Sequence, residues 1–321
     1  MQPLRSLALA LAAVVLPGCV FIAMQTAPQK TPSTQRSAAA VKADELFWST
    51  LHGGRYDDIG KALDPLTVAY LADPSDALTA AHIGWLHIWR LSESTRLGKV
   101  PASVTDDAVL AHKFFDEASR LQPTEARFLG FLASSMLAEG SVHKDQALIR
   151  GGYFTLLDSI RAWPEFNLFT ASYVMSRQPA GSGRFKQAIE WQWQTLDLCV
   201  GEKVDRREVD YGRYMKQETT LGRTRVCWNS WIAPHNFEGF FLNMGDMLVK
   251  SGDWQTAQKV YASARLSRTY AQWKYRDVLE QRIVDAQANV KYFNSDDKST
   301  DRVHQRLMIA TPFACMGCHE E

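Results

Sequence analysis

Small and bulky apolar residues recur along the chain with a helical spacing. A small residue is followed four positions later by a bulky one, three positions after that by a small one, and five positions later by proline. Offsets of three and four lie on one face of an α-helix, where small residues admit a neighbouring helix and the bulky residue fills the gap. Proline then ends the helix, because it cannot continue the hydrogen-bond ladder. The pattern predicts packed helices throughout.

Four segments carry this spacing. They are Ala62, Leu66, Ala69 and Pro74; Ala111, Phe115, Ala118 and Pro123; more loosely Gly152, Leu156, Ser159 and Pro164; and, without the proline, Ala257, Tyr261 and Ala264. The segments resemble the tetratricopeptide repeat, in which paired antiparallel helices stack into a solenoid. The resemblance implies an all-α, tetratricopeptide-repeat-like solenoid over residues 41 to 294. A non-repeating helical bundle is the alternative, and it is also all-α.

Two insertions are expected within this domain. The first three prolines lie 49 and 41 residues apart, which exceeds the family's period of about 34 residues. The clearest interruption spans residues 92 to 105. A second insertion covers residues 201 to 236, and its charged part, residues 201 to 225, shows no helical apolar period. Residues 295 to 321 then form a short irregular tail.

The amino terminus carries the features of an export signal. Arg5 precedes an unbroken apolar run over residues 7 to 16, and the run ends in Leu16-Pro17-Gly18-Cys19. This ending resembles the lipobox of bacterial lipoproteins. The resemblance implies that residues 1 to 18 are removed as a signal peptide and that the thiol of Cys19 carries diacylglycerol.

The segment after Cys19 is also compatible with a second type of anchor, an uncleaved membrane-spanning helix. Apolar residues continue to Met24, so an uncleaved helix would be just long enough to cross a bilayer, although Pro17-Gly18 would break it. On the lipoprotein interpretation, residues 19 to 40 form a lipidated, flexible, proline-punctuated tether. Val20, rather than Asp, after the lipidated cysteine implies the outer membrane and a domain that faces the periplasm.

Composition narrows the expected partners. The chain has 321 residues, 46% hydrophobic and 22% charged, which excludes collagen, long-range disorder and a polytopic membrane protein. Its 36 basic and 35 acidic residues give no field that would attract nucleic acid. Repeat solenoids generally hold a peptide or protein on their concave surface, so we expect a protein partner.

Four cysteines remain once Cys19 is assigned to lipid, and an exported protein meets an oxidising compartment. Cys199 ends a predicted helix, and Cys227 lies beyond the charged part of the second insertion. A disulfide between them would pin the insertion at both ends. Two buried free thiols are the alternative.

The most specific motif is Cys315-Met316-Gly317-Cys318-His319, close to the carboxyl terminus. This CxxCH sequence resembles the attachment site of c-type cytochromes. The resemblance implies one covalent haem c, bound through Cys315 and Cys318, with His319 as the proximal iron ligand. A Cys315–Cys318 disulfide or half of a metal site are the alternatives. No second Cys/His pair with matching spacing completes a zinc site.

The sixth iron ligand is left open among Met308, His304 and His235. A filled position favours electron transfer or redox sensing. A vacant one favours small-ligand binding or peroxide chemistry, the latter with His235 as acid–base group. Enzymatic activity therefore stays undecided, and non-enzymatic electron transfer is preferred. We expect a lipid-anchored helical-repeat protein that binds a protein partner and carries haem c. The alternative is a haem-free scaffold lipoprotein with a Cys315–Cys318 disulfide.

Overall fold

The computed structural model describes residues 30–97, 99–295 and 306–321. All regular structure within these ranges is helical, so the all-α prediction is confirmed. The predicted signal peptide, Cys19 and His304 lie outside the described residues. No helix in the described ranges combines the length and apolar character needed to cross a bilayer.

The α-helices of the described residues follow one another in an array. They are α1 Ala38–His52, α2 Ile59–Ala72, α3 Ala77–Ser92, α4 Val104–Leu121, α5 Ala126–His143, α6 Gln146–Ala162, α7 Pro164–Met175, α8 Gly183–Val200, α9 Asn236–Ser251, α10 Trp254–Ser263, α11 Arg276–Phe293 and α12 Met316–His319. From α1 to α11, each helix packs against its successor. This succession of neighbouring contacts is the arrangement of a helical-repeat solenoid.

Short 3-10 helices occupy several of the connections. They are Tyr56–Asp58, Ser94–Arg96, Gly212–Gln217, Arg223–Cys227, Ala264–Leu266 and Met308–Ala310. The first predicted insertion coincides with the connection between α3 and α4, which contains one of them. The second predicted insertion coincides with the long connection between α8 and α9, which contains two.

The residues of the repeating pattern lie in the core. Ala62, Leu66, Ala111, Phe115, Ala118, Leu156, Ser159, Ala257, Tyr261 and Ala264 are all fully buried. Gly245 on α9 shows why small residues are needed, because a Cβ there would lie 2.2 Å from the ring of Tyr261 on α10. The Tyr261 hydroxyl then donates a hydrogen bond of 2.6 Å to Asp246. Helix pairs are thus packed as the spacing predicts.

The long connection between α8 and α9 is held by the predicted disulfide. Cys199 and Cys227 are bonded, with their Cα atoms 5.9 Å apart. Although the charged part of this connection lacks apolar periodicity, Tyr211 and Tyr214 are buried in the main core. The Tyr211 ring lies 5.1 Å from the ring of Phe241 on α9. The insertion is therefore a packed part of the domain.

The folded unit begins before the predicted domain boundary at residue 41. Helix α1 starts at Ala38, and the Ser37 hydroxyl caps it by accepting a hydrogen bond from the Ala40 N–H. Arg36 forms ion pairs with Asp44 on α1 and, at 2.8 Å, with Asp76 at the start of α3. This end of the predicted tether therefore belongs to the folded domain.

Candidate functional site

The carboxyl-terminal tail is packed into the helical array. Its final helix, α12, contacts α9 and α1, which belong to late and early parts of the array. Met308, Phe313, Met316 and Cys318 are all buried. The CxxCH motif therefore lies where the two parts of the array meet.

Glu93, at the carboxyl end of α3, fixes the first half of the motif. Its Oε1 accepts hydrogen bonds from the backbone N–H groups of Cys315 at 3.0 Å and Met316 at 3.4 Å. Its Oε2 lies 2.8 Å from Nε of Arg96. Burial raises the pKa of the Glu93 carboxyl to about 7, although Arg96 and these donors oppose the shift.

Other elements hold the rest of the tail through its backbone. Two tail N–H groups donate to the array: the Met308 N–H to Asp246 at 2.9 Å and the Glu321 N–H to the His52 carbonyl at 2.9 Å. Two tail carbonyls accept from it: Gly317 from the Trp273 indole N–H at 2.9 Å and Cys318 from the His235 backbone N–H at 3.0 Å. Asp246 is itself paired with Arg282 at 2.8 Å, in a fully buried ion pair. The tail thus takes one defined path across the array.

The two thiols of the motif are separate and occupy different surroundings. Cys315 Sγ lies 3.0 Å from the Ser92 hydroxyl, and Cys318 Sγ faces Gly239 on α9. They are not joined by a disulfide in the structure. Burial raises the pKa of Cys318 to about 12, and burial together with Glu93 raises the pKa of Cys315 further. Such protonated thiols are unlike the low-pKa thiolates of disulfide oxidoreductases.

Gly239 makes room for the second thiol. A Cβ at this position would lie 2.3 Å from Cys318 Sγ and 2.9 Å from the Gly317 carbonyl oxygen. No side chain larger than hydrogen fits between α9 and the motif without displacing one of them. The glycine in α9 is therefore matched to the docked CxxCH sequence.

His319 is oriented for metal ligation through one ring nitrogen. Its Nδ1 lies 2.9 Å from the Ile232 carbonyl oxygen, and because a carbonyl only accepts, Nδ1 carries the proton and Nε2 keeps a free lone pair. Burial lowers the pKa of His319 to about 4, so the ring is neutral at neutral pH. Iron-ligating and zinc-ligating histidines commonly donate their second N–H in this way.

The predicted sixth ligands lie in different places. Met308 packs its methyl group against Gly317, within the motif. His235 is buried, and its Nδ1 lies 3.1 Å from Glu238, in a network that also includes Ser267. His304 lies outside the described residues. Both described candidates are thus close to the motif in the fold, with side chains engaged by the protein.

A series of aromatic rings lies beside the motif, and this grouping was not predicted from the sequence. The His319 ring lies 4.9 Å from Trp85 on α3, edge to face, and Trp85 lies 6.3 Å from Phe131 on α5. Phe131 lies 5.9 Å from Phe166 on α7. All three apolar rings are only partly buried. Their spacing in sequence gives no hint of this grouping, because they come from three helices.

These features fit a covalently bound tetrapyrrole. The motif offers two unjoined thiols and an imidazole with a free Nε2, and partly buried aromatic rings lie next to the imidazole. Within the described ranges, no group of three or more His, Cys, Asp or Glu side chains is placed to hold a metal ion. Haem requires no such group, because the porphyrin nitrogens supply four ligands and the protein one or two.

Comparisons with known proteins give no relative for this chain. No protein-family model matches the sequence, no curated protein matches it, and no solved structure matches the fold.

Proposed function

We propose that this protein carries one haem c on its carboxyl-terminal tail and uses it for electron transfer or redox sensing. The main support is the geometry of the motif. Cys315 and Cys318 are unjoined, and the hydrogen bond from His319 Nδ1 to the Ile232 carbonyl leaves Nε2 free. Together these residues supply the two attachment points and the axial ligand that haem c requires.

In this proposal three residues of the motif have a defined role. Cys315 and Cys318 would hold the porphyrin through thioether bonds, and His319 would ligate the iron. The Ile232 carbonyl fixes the orientation of the His319 ring and increases its basicity. When bound, the haem supplies a one-electron redox couple. The hydrogen bond that Glu93 accepts from the Cys315 N–H and the one that Trp273 donates to the Gly317 carbonyl keep the motif in place against α9.

The remainder of the proposal concerns location and partners. An export signal over residues 1 to 18 and a lipid on Cys19 would anchor the protein to a membrane, with the outer membrane and a periplasm-facing domain as the preferred arrangement. The helical array offers an extended surface to a protein partner. Balanced charge gives no support for nucleic acid.

Expression together with a haem c maturation system tests the proposal directly. We expect the purified protein to show a c-type absorption spectrum, and its intact mass to include one haem that survives acid–acetone extraction. The matched control is the Cys315→Ser/Cys318→Ser variant, which should be colourless. A colourless wild-type protein of unmodified mass would contradict the proposal. The same mass spectrum reports a lipid on Cys19.

One observation favours a second candidate, a haem-free interaction scaffold. The tail forms many hydrogen bonds with the array, including those of Cys315, Gly317 and Cys318. A scaffold requires only this packed tail and a partner surface. Partner capture that is unchanged in Cys315→Ala would favour the scaffold, whereas capture that depends on haem would favour the electron carrier.

A further inference from the structure

Helix α7 presents an aromatic face towards the region of the CxxCH motif. Phe166, Phe169 and Tyr173 have i, i+3 and i+7 spacing, so they share one face of the helix. Phe166 connects to His319 through the ring series described above. The ring of Phe169 lies 5.4 Å from the ring of Phe240 on α9. Phe240 follows Gly239, and Cys318 packs against Gly239. Two independent sets of contacts thus join α7 to Cys318 and His319, the last two residues of the motif.

Tyr173 brings an unused hydrogen-bonding group to this face. Its ring lies 6.0 Å from Phe169, and its hydroxyl is buried without a hydrogen-bond partner among the described residues. Burial, together with the nearby Cys315, Glu93 and Cys318, raises the pKa of Tyr173 well above its usual range. A buried hydroxyl without a partner destabilises the folded protein, so an acceptor from a bound group would stabilise it.

Arg177 brings a positive charge to the same end of α7 as Tyr173. It lies four residues after Tyr173, just beyond the end of α7. Arg177 is accessible to solvent, yet the surrounding protein lowers its pKa by desolvation. In the described part of the chain it forms neither an ion pair nor a hydrogen bond. A guanidinium in such surroundings favours a carboxylate as partner.

We propose that the Tyr173 hydroxyl and the Arg177 guanidinium together bind a propionate of the haem that Cys315 and Cys318 hold. The inference rests on the proposed function and adds the residues that receive the charged edge of the cofactor. The partly buried rings of α7 would cover apolar porphyrin, and the two polar groups at its end would take the carboxylate. The thioether and iron bonds fix one side of the macrocycle, and this pair fixes another.

The test uses the haem-loaded protein and four single variants. Tyr173→Phe removes only the hydroxyl, and Arg177→Gln removes only the charge. Tyr153→Phe and Arg161→Gln on α6 are the matched controls, because the Tyr153 hydroxyl bonds Gln187 and Arg161 pairs with Asp158 on the surface. The readouts are the propionate bending band in resonance Raman spectra and the midpoint potential in a redox titration.

We expect the propionate band to shift in Tyr173→Phe and Arg177→Gln and to stay unchanged in both controls. The midpoint potential should fall in Arg177→Gln, because loss of a positive charge stabilises the oxidised haem. Covalent haem content should stay the same in all four variants. Unchanged bands and potentials in the two test variants would overturn the inference while the haem remains attached. A wild-type protein without haem would instead refute the proposed function.

Discussion

Glu93 accepts a hydrogen bond of 3.0 Å from the backbone N–H of Cys315, 222 residues further along the chain. The carboxylate is fully buried and also receives the Met316 N–H. Together with the Ser92 hydroxyl, which lies 3.0 Å from Cys315 Sγ, it joins the end of α3 to the start of the CxxCH motif. The position of Cys315, the first cysteine of the motif, therefore depends on an acidic residue in the first half of the protein.

Replacing Glu93 by alanine should destabilise the fold by about 3 kcal/mol, because two buried backbone donors at Cys315 and Met316 lose their acceptor. Denaturant unfolding measures the loss, and hydrogen exchange at the same two amides locates it. Glu45→Ala, at an exposed position on α1, is the control and should change stability by less than about 0.5 kcal/mol. Equal stability of the two variants would show that this contact does not contribute to the free energy of unfolding.

The same carboxyl should make stability depend on pH. Its pKa is raised from 4.5 to about 7 in the folded protein, so the unfolded chain releases the proton at lower pH than the folded protein does. Stability is then greatest below about pH 4.5 and falls as pH rises through 7, by about 3 kcal/mol in total. The other titratable groups that interact with this carboxyl are Arg96, Cys315, Tyr56, Tyr173 and Tyr275.

Unfolding free energies measured between pH 4 and 8, a range chosen to span the folded and unfolded pKa values, check this dependence. Glu93→Gln keeps a neutral acceptor and has no proton to release, so its stability profile should lack the fall that the wild-type protein shows. The difference between the two profiles isolates Glu93 from every other titrating group. Parallel profiles would mean that the carboxyl titrates at its ordinary value.

The helices of the array could be predicted because their signal is local. Ala111, Phe115 and Ala118 occupy one face of one helix, and all three are buried as the spacing requires. The disulfide between Cys199 and Cys227 could be predicted for a similar reason, since both cysteines border one insertion. In such cases a pattern within a few turns of chain is sufficient to specify the packing.

The surroundings of the motif could not be predicted, because they depend on contacts between distant segments. Nothing in the sequence near Glu93 distinguishes it from an ordinary surface acid at the end of a helix. Gly239 lies within a helix, although glycine has a low helix propensity. The reason for a glycine there becomes clear only from the structure, in which Cys318 packs against it. The spacing of Phe166, Phe169 and Tyr173 is visible in the sequence, but core packing gives the same spacing.

The disulfide should be a major source of stability for the α8–α9 connection. Cys199 and Cys227 close a loop across a sequence separation of 28, and loop-closure entropy predicts a contribution of about 3–4 kcal/mol. The Cys199→Ala/Cys227→Ala variant should unfold at a correspondingly lower denaturant concentration. Mild reduction of the wild-type protein provides the control, because it should reproduce most of this loss. A variant as stable as the oxidised protein would contradict the prediction.

The fit between α9 and the motif predicts that Gly239→Ala will displace the tail. The added methyl group would lie 2.3 Å from Cys318 Sγ and 2.9 Å from the Gly317 carbonyl oxygen, so either α9 or the motif must move. Overpacking of this kind costs about 1–3 kcal/mol. Because the Gly317 carbonyl also accepts the Trp273 N–H, the displacement should break that hydrogen bond.

Trp273 fluorescence and thermal unfolding measure the effect of Gly239→Ala, and Gly183→Ala is the matched control. Gly183 is the first residue of α8, and a Cβ there meets nothing within 4 Å. We expect the control to be as stable as the wild-type protein or slightly more stable, since alanine favours the helix. The Gly239 variant should unfold at lower temperature, with a changed environment for the Trp273 indole. If both glycines tolerate alanine equally, the motif does not dock on α9 as the structure shows.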